Sequence, residues 1–360
     1  LTAEIQMNNN NIFFVDKKLN YKKYSVESAH SLNVNRWQGW YCSTGFRNLY
    51  VDFDGNVFRG VCGEGGWMGN VNRKPGLEGA SIRSITDKKW IVCNKESCTC
   101  GSDMKAPKVK DFEDTHSFFD RDRKQLSKYI KIKEEISEVE PSLVYGDDGD
   151  LYKLLIWDIG RRCNFDCWYC SKNSHNTYEV QKNLDMLMSA YETLSAGWIM
   201  GERTKFVFTG GEPTVYKDYL PFIAKLKEAD HIIHTTTNGS ATPEYYKQLA
   251  EISDITFSIH LNYVQKLGID KFLKAVESAV VTTEQGFVNN TVAQFNWIIV
   301  RIMFDPGNLE IAKLTYNTFK EQFKNYKNYI LEIDLVHQTD GDHVLYKYTQ
   351  EELNWMADCK

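Results

Sequence analysis

Cys163-Asn164-Phe165-Asp166-Cys167-Trp168-Tyr169-Cys170 follows closely on an apolar run, Tyr152–Asp158, that has the look of a strand. The cysteines are separated by three residues and then two, so a single loop can turn three thiolates onto one face of a metal site. Thiolates are soft ligands suited to iron–sulfur clusters, and three of them leave one iron of a four-iron cluster open to a further ligand. The competing metal reading is a zinc knuckle, with a histidine such as His175 as fourth ligand. What the following strands bring to this loop decides between them.

Outward from the loop, strands and helices alternate almost to the end of the chain. Strands are expected at Tyr152–Asp158, Lys205–Thr209, His231–Thr236, Asp254–Ile259, Trp297–Met303 and Tyr329–Leu335. Helices are expected between them at Gln181–Leu194, Asp218–Glu228, Pro243–Ile252, Asp270–Thr283 and Leu309–Phe323. Repeated strand–helix units imply an α/β fold with a parallel sheet, wound by right-handed crossovers into a partial (β/α)6 TIM-type barrel. Barrel enzymes carry their active residues at the C-terminal ends of successive strands. The second strand ends in Thr209-Gly210-Gly211-Glu212-Pro213-Thr214, where paired glycines permit close backbone approach and a carboxylate can meet an ammonium group. The third ends in Thr235-Thr236-Thr237-Asn238-Gly239 and the fourth in Ser258-Ile259-His260, with two polar residues on one face. The fifth carries Arg301 among apolar neighbours.

Taken together, these runs resemble the radical S-adenosylmethionine (SAM) superfamily over roughly residues 151–335, including an aromatic, Tyr169, just before the third cysteine. The resemblance implies that Cys163, Cys167 and Cys170 hold a 4Fe-4S cluster whose open iron chelates the amino and carboxylate groups of SAM. It implies that Gly210, Gly211 and Glu212 form the site for the SAM amino group. Thr237 and Asn238 are similar to a Thr-Asn-Gly segment of the family, and Ser258 and His260 would hold the SAM ribose or carboxylate. Arg301, if inward, would pair with the SAM carboxylate; a solvated Arg301 and a satisfied core His260 are the plainer alternatives. The activity implied is reductive cleavage of SAM to a 5′-deoxyadenosyl radical, fed by a reductant such as a flavodoxin or ferredoxin. The radical would then take hydrogen from a small polar, sugar-like molecule or a peptide, for oxidation, epimerisation or bond formation. Peptide maturation is one alternative within the family, and a non-catalytic, zinc-stabilised binding protein is the alternative outside it. No residue is assigned the catalytic hydrogen transfer; Tyr263 is only a candidate donor.

A second cysteine group precedes the barrel: Cys42, Cys62, Cys93, Cys98 and Cys100. Leu49–Phe53 and Val57–Arg59 flank Asp54-Gly55-Asn56, a hairpin signal, because Asp-Gly accepts the positive φ that a tight turn needs. Cys42 and Cys62 then stand near the open ends of one hairpin. This arrangement resembles the SPASM and twitch domains, which hold auxiliary iron–sulfur clusters. It departs from them in preceding the barrel and in the longer step from Gly55 to Cys62. The resemblance implies one auxiliary 4Fe-4S cluster on Cys42, Cys62, Cys98 and Cys100, with Cys93 as substitute or spare; structural zinc is the alternative. Trp37, Trp40, Trp67 and Asp340 are candidates to line a substrate site or, for the aromatics, simply core.

The expected organisation is a cysteine-rich domain at 1–110, a charged helical linker at 111–150, the barrel at 151–338 and a polar tail at 339–360. The first residues, with Asn8–Asn11, read as a flexible lead-in, and Cys359 as a free thiol near a frayed end. With 42% hydrophobic and 25% charged residues the composition is that of an ordinary globular protein. A net charge of -5 gives no basic face for nucleic acid. No apolar run spans a bilayer, so no membrane partner is expected. Eight of the nine cysteines fall into two groups, which fits metal ligation in a reducing cytosol better than a disulfide framework and implies a cytoplasmic location. The chain starts at Leu1 rather than Met, leaving room for a removed leader, and ends at Lys360 with room for a further segment or lid.

Overall fold

The computed structural model describes residues 11–18, 20–45, 48–73, 82, 90–98, 100–112, 140–141, 143–146, 153–170, 178–288, 296–336 and 346–359. The expected linker helix, His175 and Asp340 lie outside them, as does the lead-in apart from Asn11. The chain divides into two compact units, Leu1–Ile156 with Ser189–Lys205, and Trp157–Met188 with Phe206–Lys360.

In the first unit, β1 (Asn11–Val15) and β2 (Tyr21–Ser25) form an antiparallel pair, and β3 is the short Tyr41–Cys42. The expected hairpin is β4 (Asn48–Val51) and β5 (Asn56–Phe58), with Tyr50 opposite Phe58 and Val51 opposite Val57. Its turn closes because Gly55 takes φ +82° and the Asp52 carboxylate accepts from the Asp54 and Asn56 N–H groups. β6 (Trp67–Asn70) continues this meander. β7 (Ile91–Val92), β8 (Lys108–Val109) and β9 (Leu143–Gly146) complete a second sheet in the order β2-β1-β9-β8-β3-β7. Beside it, Ile12, Phe14, Val26, Ala29, Trp37, Cys98 and Met104 form a buried core, with Trp40 packed against it. Trp37 and Trp40 are therefore core, and Trp67 donates through Nε1 to Asn56 within the hairpin.

The unit boundary differs from a cut at residue 151. The segment after the helix Leu184–Leu194 makes a wide turn over Ser195–Ile199 and belongs with the first unit. Trp198 Nε1 donates to the Gly45 carbonyl at 3.1 Å, and Lys153 Nζ donates to the Trp198 carbonyl at 2.5 Å.

The barrel strands are β10 (Lys153–Asp158), β11 (Thr204–Thr209), β12 (Ile232–Thr237), β13 (Asp254–His260), β14 (Ile298–Phe304) and β15 (Tyr329–Leu335), neighbours in that order. β12 through β15 pair parallel. The helices Tyr219–Glu228, Pro243–Ile252, Ile269–Val288 and Leu309–Phe323 separate them, as the spacing predicts. On β13, Ile255, Phe257 and Ile259 are fully buried, while Thr256, Ser258 and His260 alternate onto the other face. That alternation leaves one polar face, and it is the face on which the site is built.

Two helices were not legible as such. Leu261–Leu267 starts directly at the end of β13 with no breaker between. Gln350–Asp358, in the expected polar tail, begins with Thr349 and Glu352 in a reciprocal capping box. This tail is packed, not frayed: Trp355 and Cys359 lie against the core of Leu261, Ile302, Phe304, Ala312 and Tyr316, and Tyr316 donates to the Cys359 carbonyl.

Candidate active site

Main-chain hydrogen bonds bring the three-cysteine loop and the Gly-Gly-Glu run together. Gly211 N–H donates to the Gly160 carbonyl at 2.7 Å, and Glu212 N–H donates to the Arg162 carbonyl at 2.8 Å. Such approach requires glycine. A Cβ on Gly210, whose φ is +114°, would stand 2.6 Å from the Gly160 carbonyl oxygen, and one on Gly211 would collide with the Arg161–Arg162 backbone. From the other side, Glu179 accepts from the N–H groups of Arg161 (2.5 Å) and Arg162 (3.0 Å) and from the Tyr216 hydroxyl (2.6 Å). This carboxylate's part is not legible in the sequence, because Glu179 lies in an irregular segment with no motif around it.

The rest of the cysteine loop is fastened to the ends of the later strands. Asn164 accepts from Asn238 Nδ2 at 2.9 Å, and the same Nδ2 lies 3.8 Å from Cys163 Sγ as a donor. Phe165 stacks on Tyr263 at 3.6 Å between ring centroids, and the Asp166 N–H donates to the Tyr263 hydroxyl. Trp168 Nε1 donates to Asp305 at 3.1 Å. The Tyr169 hydroxyl and His260 Nδ1 share a hydrogen bond, and their rings stack. Tyr263 is thus a prop for the loop, which is a different task from the hydrogen donor it was a candidate for.

Burial raises the thiols of Cys163 and Cys167. It pushes Cys163 to about 11 and Cys167 to about 12, and the neighbouring cysteines add to both shifts. Burial likewise holds the His260 ring neutral, with its pKa down to about 4. An all-sulfur donor set from one loop fits an iron–sulfur cluster. Among the described residues no three Cys, His, Asp or Glu side chains are gathered tightly enough to hold a single metal ion.

Glu212 is only 1% exposed, and its carboxylate is surrounded by donors of the chain itself. Oε1 accepts from Thr214 N–H (3.0 Å), Thr214 Oγ1 (2.7 Å) and Thr237 Oγ1 (2.7 Å), and Oε2 accepts from Asn238 N–H (2.5 Å). Burial still raises its pKa. The structure therefore places Glu212 as a bracket between the second and third strand ends, with Thr237 and Asn238 as its partners. Arg301 lies on the polar face, in register with Ser258 and Glu332, but its guanidinium already meets Glu332 (2.9 Å) and, more loosely, Asp334 (3.9 Å). The carboxylates beside it are the chain's own. Sequence reading missed Asp305. It is 2% exposed, accepts from Trp168 and Asn308 through Oδ2, and its Oδ1 has no partner among the described residues. The available signal was its position, an acid just past the end of a barrel strand.

In the first unit, the structure draws all five N-terminal cysteines toward one another. Cys42 is on β3, and Cys93 N–H donates to the Trp40 carbonyl next to it. Cys98 N–H bonds to the Asn35 carbonyl, and Cys100 precedes the helix Gly101–Lys105. Burial raises every one of these thiols; Cys100 reaches about 11, and nearby Cys42 contributes to the rise at Cys62 and Cys98. Cys93 is near enough to add to the rise at Cys42.

Residues 157–284 match the family model of the Radical SAM superfamily. This part of the chain is similar to a family that uses a 4Fe-4S cluster and SAM. A GTP 3′,8-cyclase of Campylobacter lari is 27% identical over 193 residues, 50% of this chain and 59% of that protein. Another, of Nautilia profundicola, is 35% identical over 95 residues, 26% of this chain and 30% of that protein. The chain thus spans less than two thirds of the length of these curated relatives. Among solved structures, Streptococcus suis SuiB bound to S-adenosylmethionine is similar at 16% identity and a TM-score of 0.39, covering 68% of this chain and 58% of that one. Native anSMEcpe with bound AdoMet is similar at 22% identity and a TM-score of 0.37, covering 57% and 59%. No helix among the described residues is long and apolar enough to cross a membrane.

Proposed function

We propose that the chain is a radical SAM enzyme that reductively cleaves SAM and takes hydrogen from a small polar or peptide substrate. One observation carries the reading: the Gly211–Gly160 and Glu212–Arg162 bonds lock the three-cysteine loop beside the Gly-Gly-Glu run. When bound, a three-cysteine cluster with SAM supplies the electron that breaks a carbon–sulfur bond and the 5′-deoxyadenosyl radical that results. The chain's own part is to fix and shield that chemistry. Cys163, Cys167 and Cys170 hold the cluster, and Asn238 Nδ2 supports it by donating toward the Cys163 sulfur. Gly210 and Gly211 bring main-chain groups within reach of the SAM amino group, while Glu212 keeps that backbone in place. Tyr169, held by neutral His260, and Ser258 would help hold SAM from the polar face. Cys42, Cys62, Cys98 and Cys100, with Cys93 as substitute or spare, hold an auxiliary 4Fe-4S cluster in this reading.

GTP 3′,8-cyclase relatives support a small polar substrate over a peptide, although the matched portion is at most half of this chain. The test is spectroscopic. Reconstituted anaerobically and reduced, the protein should show a cluster resonance that shifts when SAM is added, and Cys163→Ala should lose that shift. A protein that takes up only zinc under the same conditions supports the binding-protein alternative instead.

A further inference from the structure

Among the N-terminal cysteines lies a cation that the sequence did not call attention to. Lys108 is 1% exposed. It stands directly opposite Cys42 in the antiparallel β3–β8 pair, so the two side chains share one face of the sheet. Its ammonium donates to the carbonyls of Asp103 (2.5 Å), Met104 (3.2 Å) and Ala106 (2.8 Å) and lies 4.6 Å from the centre of the Trp37 ring. None of these partners carries a charge. The nearby Asp103 carboxylate is taken up elsewhere, by Asn48 Nδ2 at 2.8 Å and by the Cys62 N–H at 2.7 Å. Among the described residues no carboxylate comes within ion-pair distance of Lys108. A buried charge held only by neutral dipoles is costly unless an opposite charge is supplied. The groups around it that can carry an opposite charge are the thiols of Cys42 and Cys98, the Asp103 carboxylate that is already bonded to Asn48 and the Cys62 N–H, and the thiol of Cys93.

We propose that Lys108 is the built-in counter-charge of the N-terminal cysteine site, stabilising its thiolate-bound cluster and raising that cluster's reduction potential. The inference rests on the auxiliary-cluster reading above. Four thiolates around a 4Fe-4S core give a net negative group. One-electron reduction by an external donor adds a further negative charge to it, with no bond made or broken in the protein. A fixed cation on the same face of the sheet would favour the reduced form, and cluster potentials respond to such charges and to hydrogen bonds near the sulfurs. Lys108 is a positioning residue in this account, because it acts on the cluster through the field and not on a substrate.

The experiment uses the full chain with Cys163, Cys167 and Cys170 replaced by Ala, so that only the N-terminal site takes up iron. Iron and sulfide content and the midpoint potential are measured in this background with Lys108, Lys108→Arg and Lys108→Met. The expected result is a lower midpoint potential, or loss of the cluster, in Lys108→Met, with Lys108→Arg close to the parent. An unchanged potential in Lys108→Met at full iron content overturns the inference while leaving the auxiliary cluster standing. Equal loss of iron in both variants assigns Lys108 to packing alone and also overturns it. A parent that binds zinc or no metal removes the auxiliary-cluster reading and the inference with it.

Discussion

Replacing Glu212 by Gln separates two tasks that the carboxylate could perform. Two main-chain donors, Thr214 N–H and Asn238 N–H, approach different oxygens of Glu212. A glutamine has one carbonyl oxygen, so whichever way its amide turns, an NH2 group faces one of those donors. Neither backbone donor can rotate away, and both are packed beside a side chain that is 1% exposed. A buried donor left unpaired costs about 1–3 kcal/mol. Removing the burial penalty on the charge, visible in the raised pKa of Glu212, offsets a part of this. We expect Glu212→Gln to destabilise the apo protein by about 2 kcal/mol, which lowers the melting temperature of a unit of this size by roughly 4–8 °C. Glu212→Ala, losing every acceptor and leaving a void, should cost roughly 4 kcal/mol. Thermal melts of the apo chain followed by circular dichroism read this directly. SAM affinity of the reconstituted protein, by calorimetry, is the companion measurement. A Gln variant that melts with the parent yet binds SAM tenfold more weakly would refute the bracket and return Glu212 to direct pairing with the ammonium group.

Three further outcomes are expected. Gly211→Ala should collide with the Arg161–Arg162 backbone, destabilise the protein by ~2 kcal/mol and loosen the cysteine loop; iron content after reconstitution checks it. His260, whose pKa is depressed from 6.5 to about 4, stays neutral in the folded chain while the unfolded chain takes up a proton below pH 6.5. Its contribution to stability is therefore complete above pH 6.5 and declines as pH falls toward 4, by at most ~3 kcal/mol and by less to the extent that the residue keeps some exposure. Urea titrations between pH 4.5 and 7.5 should show this slope in the parent and a shallower one in His260→Gln. Tyr169→Phe should remove the hydroxyl bond to His260 at a cost of about 1 kcal/mol and leave iron uptake intact, as melts and iron analysis would show.

How much could be read beforehand follows from where the physics is local. The strands from Lys153 to Leu335 announce themselves through apolar runs, and the helices Pro243–Ile252 and Leu309–Phe323 end where they were expected. Leu261–Leu267 escaped because His260 passes from strand to helix with no glycine or proline to mark the change. The capping box at Thr349 and Glu352 was a readable signal that went unused. Within the site, motif residues were legible as a set, but their partners were not. Glu212 shows its role only through Thr237 and Asn238, from another strand, and Arg301 only through Glu332 on the adjacent one. Glu179, Asp305 and Lys108 act through contacts distant in sequence, which no local pattern records.

The central claim is that the loop bearing Cys163, Cys167 and Cys170 serves SAM cleavage. Its most direct measurement is the release of 5′-deoxyadenosine from SAM by the anaerobically reconstituted, dithionite-reduced chain. The account expects 5′-deoxyadenosine from the parent and none from Cys163→Ala, with the iron of the N-terminal site retained in that variant. Undiminished release by Cys163→Ala, or none from a parent carrying its full iron, would contradict it.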